Sequence, residues 1–202
     1  VTMRDAAGVP ENFFTVWYNL FDRIHFAAGE SVLIVGIGGG VSMAALALAK
    51  AMGATVYGTS RDPETCRQAV EAGAAAAFDS DDDWPVRCEV VVESVGPATW
   101  DRSIRALQPG GRLVVSPPDV YGGPELAELI RLVLARLRPG GRLVMNFVTL
   151  ENLATATAAL GAAGVAWDVV QLQASRSQPI LDMHRLAAHN PVWIVSAGKD
   201  AS

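Results

Sequence analysis

The sequence predicts an α/β protein: a three-layer, doubly wound sheet with helices on both faces. Two observations carry that reading. The stretch SVLIVGIGGGVSMAALALAKAMGATVYGTSR, Ser31 to Arg61, reads as strand, glycine turn, helix, strand. Beyond it, short apolar runs alternate with helical patterns, as in a mostly parallel sheet covered on both sides.

Each segment of the leading stretch has a physical reason. Val32-Leu33-Ile34-Val35 is apolar and β-branched at nearly every position, the mark of a strand buried on both faces. Gly36, Gly38, Gly39 and Gly40 follow, then an Ala/Leu-rich helix from about Val41 to Met52, closed by Gly53. Side chains are missing where a pyrophosphate must approach the backbone, and the positive end of the helix points at that spot. The spacing departs from strict G-x-G-x-x-G, because Val41 stands where the third glycine would be. A buried strand turning into a helix uses glycine too, so the motif alone leaves that alternative open. The second strand, Thr55 to Thr59, ends in Ser60-Arg61. An NAD site carries Asp or Glu there for the ribose hydroxyls. A hydroxyl and a guanidinium suit a 2′-phosphate instead, so the predicted cofactor is NADP(H). The alternative is a plain exposed arginine after a strand.

Composition bounds the rest. With 202 residues, half of them hydrophobic, the chain suffices for one packed α/β domain. A net charge of -5 without a basic stripe argues against nucleic acid or an anionic membrane surface as partner. Cys66 and Cys88 stand far apart, and His25, His184 and His189 have no metal-ligand spacing. The expectations are a reducing, cytoplasmic setting, no disulfide framework and no metal. No signal peptide is visible, and the longest apolar stretch, Val32 to Ala49, is interrupted by glycines that mark a water-soluble core. The chain opens at Val1 without an initiator methionine and reads as a trimmed or excised piece.

The remaining elements follow in order. Val9-Pro10-Glu11 introduces a helix from Asn12 to about Ile24, with Phe13, Phe14, Val16, Trp17, Leu20 and Phe21 on a broad apolar face. Asp62-Pro63-Glu64 starts a helix ending near Gly73, and Ala75 to Phe78 is a short strand. The acidic loop Asp79 to Asp83 reads as a solvated turn rather than a cation site. Cys88 to Glu93 is a fourth strand, and its end, Glu93-Ser94-Val95-Gly96, faces the crevice beside the glycine turn. A helix from Pro97 to Leu107 and a strand from Arg112 to Ser116 follow. After the break at Ser116-Pro117-Pro118-Asp119 come an amphipathic helix, Pro124 to Leu137, and a strand, Gly141 to Val148. Thr149 caps a helix from Leu150 to Gly161, and Trp167 to Ala174 and Val192 to Val195 are strands. The linker from Ser175 to Asn190 is long for a tight hairpin, which suggests a helical turn near Leu181 to Ala188. Leu107-Gln108-Pro109-Gly110-Gly111-Arg112-Leu113-Val114 recurs as Leu137-Arg138-Pro139-Gly140-Gly141-Arg142-Leu143-Val144, one βα unit later.

VPENFFTVWYNLFDR, GESVLIVGIGGGVSMAALALAKAMGATV, TSRDPE and VVESVGPATWDRSIRALQPGGRLVVS together resemble the cofactor-binding domain of medium-chain dehydrogenase/reductases, in the quinone-reductase and zinc-type alcohol dehydrogenase branch. PDVYGGPELAELI, LRPGGRLVMNFVTLENL, VVQLQASRSQPI and NPVWIVSAGK resemble the C-terminal half of the decarboxylating precorrin methyltransferases of corrin synthesis. The first resemblance implies that Gly38, Gly39, Gly40 and Val41 contact the pyrophosphate, Ser60 and Arg61 the adenosine phosphate, and that Ser94, Val95 and Gly96 sit beside the nicotinamide; Gly36, in the same turn, is counted with them as a cofactor-binding residue. The second implies a related S-adenosylmethionine-binding sheet with an antiparallel C-terminal strand pair. The expected whole is a Rossmann-like domain over residues 1–202, joining a dehydrogenase-like half (1–117) to a methyltransferase-like half (118–202). Strand order 3-2-1-4-5 puts the ligand crevice between the first and fourth strands.

Each family brings its own Pro-Gly-Gly-Arg strand entry, so the seam falls near Pro117-Pro118. Neither family's complete active site can be assembled from these residues. The expected function is therefore an engineered chimera that at most binds NADP(H), with a natural fusion as the other origin. The alternatives are an NADPH-dependent reductase, recruiting Tyr121 or Asn146, and an S-adenosylmethionine-dependent methyltransferase using Asn146, Thr149 and Glu151. Tyr121 also fits a core or edge position, and Thr149 and Glu151 fit an ordinary helix start.

Overall fold

The computed structural model describes residues 12–115, 124–137, 139–173, 175–180, 183–188 and 191–199. Val9 to Glu11, the seam at Pro117-Pro118, Tyr121 and His189 lie outside the described residues. Strands β1 (Ser31–Val35), β2 (Thr55–Ser60), β3 (Ala76–Asp79), β4 (Cys88–Glu93), β5 (Leu107–Val115), β6 (Arg142–Phe147), β7 (Ala166–Leu172) and β10 (Val192–Gly198) form one sheet, ordered β3-β2-β1-β4-β5-β6-β10-β7. Pairing from β3 through to β6 is parallel, and β10 runs antiparallel to both β6 and β7. The predicted order of the first five strands and the antiparallel C-terminal strands are therefore present.

The helices cover the two faces as a doubly wound sheet requires. Helix α1 (residues 12–23), α2 (Gly40–Ala51) and α3 (Pro63–Ala72) pack on the face of Val32, Ile34, Val56, Val90, Val114, Val144 and Ile194. Helices α4 (Pro97–Arg105), α5 (Pro124–Arg136) and α6 (Leu150–Ala162) cover Leu33, Val35, Val91, Leu113, Leu143, Met145 and Val195. Each apolar cluster thus draws on residues from both sides of the sequence seam. Alternate side chains of a strand point to opposite faces, so the fully apolar runs read in β1 and β4 supply both clusters at once.

The repeated strand entries lie side by side. Arg112, Leu113 and Val114 pair in register with Arg142, Leu143 and Val144. Gly110 and Gly140 adopt nearly the same left-handed conformation, φ 78° and 79°. Two arginines opposite each other would repel. Both guanidiniums instead donate to the C-terminal carbonyls of α1: Arg112 to Ile24 and His25 at 3.0 Å, and Arg142 to Arg23 at 3.2 Å. Arg112 also pairs with Glu30. Arg23 donates in turn to Ser196 Oγ at 2.8 Å and pairs with Asp168. Helix α1, from the first half of the sequence, is thereby fastened to strands of the second.

Several local expectations need correction. Phe14 and Trp17 are exposed, while Val16, Leu20 and Ile24 are buried. The second half of α1, Tyr18–Arg23, is a π-helix, which shifts the phase of the buried face away from the 3.6-residue pattern. The segment expected to hold a helical turn is instead a separate antiparallel hairpin, β8 (Ser175–Ile180) with β9 (Met183–Ala188), paired over six positions. Cross-strand backbone pairing there overrides the helix preference of Leu, Met and Ala. The Pro109-Gly110-Gly111 turn lies within β5, which starts at Leu107 and carries a register shift opposite Cys88 and Val90.

Candidate functional site

The glycine turn lies at the C-terminal end of β1, where β2 and β4 diverge on either side. Gly36 (φ 84°) and Gly38 (φ 127°) occupy backbone regions that L side chains avoid. The turn is tied to β2: the Gly36 and Ile37 N–H groups donate to the Thr59 carbonyl at 3.2 and 2.8 Å. It is also pressed against β4. A Cβ on Gly36 would lie 2.8 Å from Val95 Cγ2 and 2.9 Å from Ser94 Oγ, and Ser94 Oγ donates to the Val35 carbonyl at 2.7 Å. Gly36, Ser94 and Val95 thus meet across the predicted crevice.

Protein atoms account for some of the glycine requirement. A Cβ on Gly38 would lie 2.6 Å from Thr65 Cγ2, and one on Gly40 2.6 Å from Asn12 Nδ2. Buried Ser42, one residue past the motif, accepts from the Gly38 N–H at 3.1 Å and donates to the Gly39 carbonyl at 2.9 Å. Gly38, Gly39, Gly40 and Val41 are nevertheless exposed, and Gly39, the N-cap of α2, makes no side-chain capping bond. As a glycine, the N-cap of α2 supplies no side-chain acceptor for the first-turn amides.

The neighbouring helix starts differ. At α3, Asp62 accepts from the N–H groups of Glu64 (3.2 Å) and Thr65 (3.1 Å) and from the Thr65 hydroxyl (2.6 Å). The Thr65 hydroxyl and then those backbone groups hold the Asp62 carboxyl below the usual range. At α4, Gly96 is the N-cap with φ 113°, and Glu93 stands on it. Glu93, 1 % exposed, accepts from the N–H groups of Val95 (2.7 Å) and Gly96 (3.0 Å), from the Thr99 hydroxyl (3.0 Å) and from Ser103. Of these three helices, α3 and α4 hold a carboxylate of the chain, and α2 holds none among the described residues.

Burial pushes the Glu93 carboxyl above its ordinary value, with the Ser103, Gly96, Val95 and Thr99 bonds working against that. The folded state therefore favours protonation relative to the unfolded chain. The stabilisation from this group is complete below the ordinary Glu range and is lost as pH rises through the raised folded value. Urea titrations of wild type and Glu93→Gln across that range should show the wild type losing stability relative to the variant as pH rises; parallel curves would contradict this.

Ser60 ends β2, and its Oγ accepts from the Asp62 N–H at 3.1 Å. Arg61 is exposed beside it, with no hydrogen bond or ion pair among the described residues. Sequence reasoning set Glu93 at the crevice without giving it a role, and missed Ser42 and Asn12. A signal for Glu93 was present: an acid closing an apolar strand, followed by Thr99 and Ser103 four residues apart on one helix face. On the other half, Asn146 is buried on β6 and its Oδ1 has no hydrogen-bond partner among the described residues. Thr149 is the N-cap of α6 by position, but its side chain makes no capping bond, and Glu151 lies in the first turn.

Two cavities lie at the opposite end of the strands. One, of about 210 Å³, touches the Pro109–Gly111 turn, and the other, of about 490 Å³, touches Gly140–Arg142. The first is rimmed by Arg87, Arg105 and Arg136, which are matched by the Arg105 carbonyl, Asp83 and Asp101. Among the described residues, no three His, Cys, Asp or Glu side chains stand together to hold a metal ion. No helix among the described residues is long and apolar enough to cross a membrane.

Comparison with known proteins agrees with this division. Residues 40–125 match the zinc-binding dehydrogenase family and residues 116–199 the precorrin methyltransferase domain, so the matched stretches overlap around the expected seam. A quinone oxidoreductase of Pseudomonas aeruginosa is 32% identical over 124 residues, 56% of this chain and 38% of that protein. The cobalt-precorrin-6B C(15)-methyltransferase (decarboxylating) of Salmonella typhimurium is 40% identical over 79 residues, 39% of this chain and 41% of that protein. The chain thus spans well under half the length of either relative. The solved precorrin-6y C5,15-methyltransferase of Geobacter metallireducens superposes with a TM-score of 0.58 over 93% of this chain and 88% of that one; at 20% identity the likeness concerns the fold alone. The chain therefore joins two segments of different kinship, the first similar to the zinc-binding dehydrogenases and the second to the precorrin methyltransferases.

Proposed function

We propose that this protein is a recombined chain that folds as one Rossmann-like domain and binds NADP(H) through its dehydrogenase-like half, without a complete catalytic apparatus. The observation that carries the reading is the difference among the helix starts beside the crevice. Asp62 and Glu93 serve α3 and α4, while the exposed, glycine-lined start of α2 has no acceptor from a side chain among the described residues. A glycine-lined helix start with no capping carboxylate among the described residues suits a pyrophosphate. Gly36, Gly38, Gly39, Gly40 and Val41 would face that group, Ser60 and Arg61 the 2′-phosphate, and Ser94, Val95 and Gly96 the nicotinamide. The similarity over residues 40–125 supports a dehydrogenase-type nucleotide site in this half.

Isothermal titration with NADPH and NADH tests it. The expected result is saturable NADPH binding that Arg61→Ala weakens about tenfold, with NADH affinity unchanged, since one charge-assisted contact is worth about 1.5–3 kcal/mol. A folded protein that takes up no NADPH removes the proposal. A second reading, binding of S-adenosylmethionine, draws on Asn146 Oδ1, unpartnered among the described residues, and the match over residues 116–199. Heat with S-adenosylmethionine but not with NADPH would select it.

A further inference from the structure

We infer that Glu93 is a positioning residue that sets the nicotinamide half of the crevice; this rests on the NADP(H) reading. Its carboxylate is sealed from solvent yet borders the site, because the next three residues form the crevice wall. The Val95 and Gly96 N–H groups both end on Oε1, at 2.7 and 3.0 Å. The Thr99 hydroxyl meets both carboxylate oxygens at 3.0 Å, and Ser103 reaches Oε2. One side chain thus ties the end of β4 to the first two turns of α4, and the turn between them can take only the path those bonds allow.

That path matters on its outer side. Val95 and Ser94 press against the bare Cα of Gly36, and Gly96 is held at φ 113°, which side chains other than glycine rarely adopt. A slack Ser94–Gly96 turn would lose the fixed path of the wall that the NADP(H) reading sets against the nicotinamide. The same carboxylate satisfies the start of α4, whereas α2 has no capping carboxylate among the described residues to compete with a cofactor phosphate. The adenosine half of the site, at Ser60 and Arg61, shares no contact with Glu93. Loss of Glu93 should therefore separate the two halves of one ligand.

The test compares NADPH with 2′-phospho-ADP-ribose, the same molecule without its nicotinamide, by calorimetry on the full chain. Glu93→Ala should weaken NADPH about tenfold while the fragment binds as before, since small misplacements of a fixed wall are costly. Glu93→Gln keeps a carbonyl oxygen for the Val95 and Gly96 N–H groups and should restore NADPH binding. Should Glu93→Ala not fold, Ser103→Ala, which touches only Oε2, should give a smaller loss confined to NADPH. Equal losses for both ligands in a folded variant, or no loss for either, would overturn the inference alone. Wild-type protein that binds neither ligand would overturn the NADP(H) reading and this inference with it.

Discussion

Gly39→Asp is expected to make the protein more stable and to abolish NADPH binding. Gly39 has φ -79° and ψ 165°, extended backbone that any residue adopts. A Cβ there would have Ser42 Oγ as nearest neighbour at 3.7 Å, an ordinary contact. Aspartate would supply the missing acceptor for the first turn of α2 and a negative charge at its positive end, together worth about 0.5–1 kcal/mol. In a chain of this size that is about 2 °C in melting temperature. The same carboxylate would occupy the ground proposed for the pyrophosphate and repel it. Like charges brought together cost several kcal/mol, so affinity should fall about a hundredfold or more. Differential scanning calorimetry with and without NADPH reads both effects. Retained NADPH binding would show that the phosphate is held elsewhere.

Leu143→Ala should cost about 3 kcal/mol and lower a single melting transition by about 10 °C. Leu143 is fully buried on β6, in register with Leu113, and belongs to a cluster containing Leu33, Val91 and Leu129. Its side chain therefore belongs to the second sequence segment, while the cavity left by its loss would be lined partly by the first. If the two segments form one cooperative unit, calorimetry will show one peak before and after the substitution, with the whole peak displaced. Two peaks, of which only one moves, would show that the halves fold separately.

The elements legible in the sequence were those written in local grammar. The β1–α2–β2 unit, the Asp62-Pro63 start of α3 and the Gly73 stop each rest on neighbouring residues, and each stands where it was expected. What was misread depended on distant partners. The hairpin β8–β9 exists because two segments pair over six positions, and composition within either one favours a helix. Phe14 and Trp17 look inward by a regular 3.6-residue count, and the π-turn after them changes which positions meet the sheet. Thr149 has a capping residue's position without the hydrogen bond, which is a matter of side-chain rotation.

The sequence by itself determined the doubly wound class, the first five strands in their order, the two-family composition and the glycine corner, because apolar periodicity and turn residues act over a few positions. Only the tertiary structure decided how the two halves are fastened. Arg112 and Arg142, neighbours across β5 and β6, both end on the carbonyls of α1, and Arg23 returns the connection to Ser196 and Asp168. Hydrogen bonds of that kind join residues through space, and their partners cannot be read from spacing along the chain.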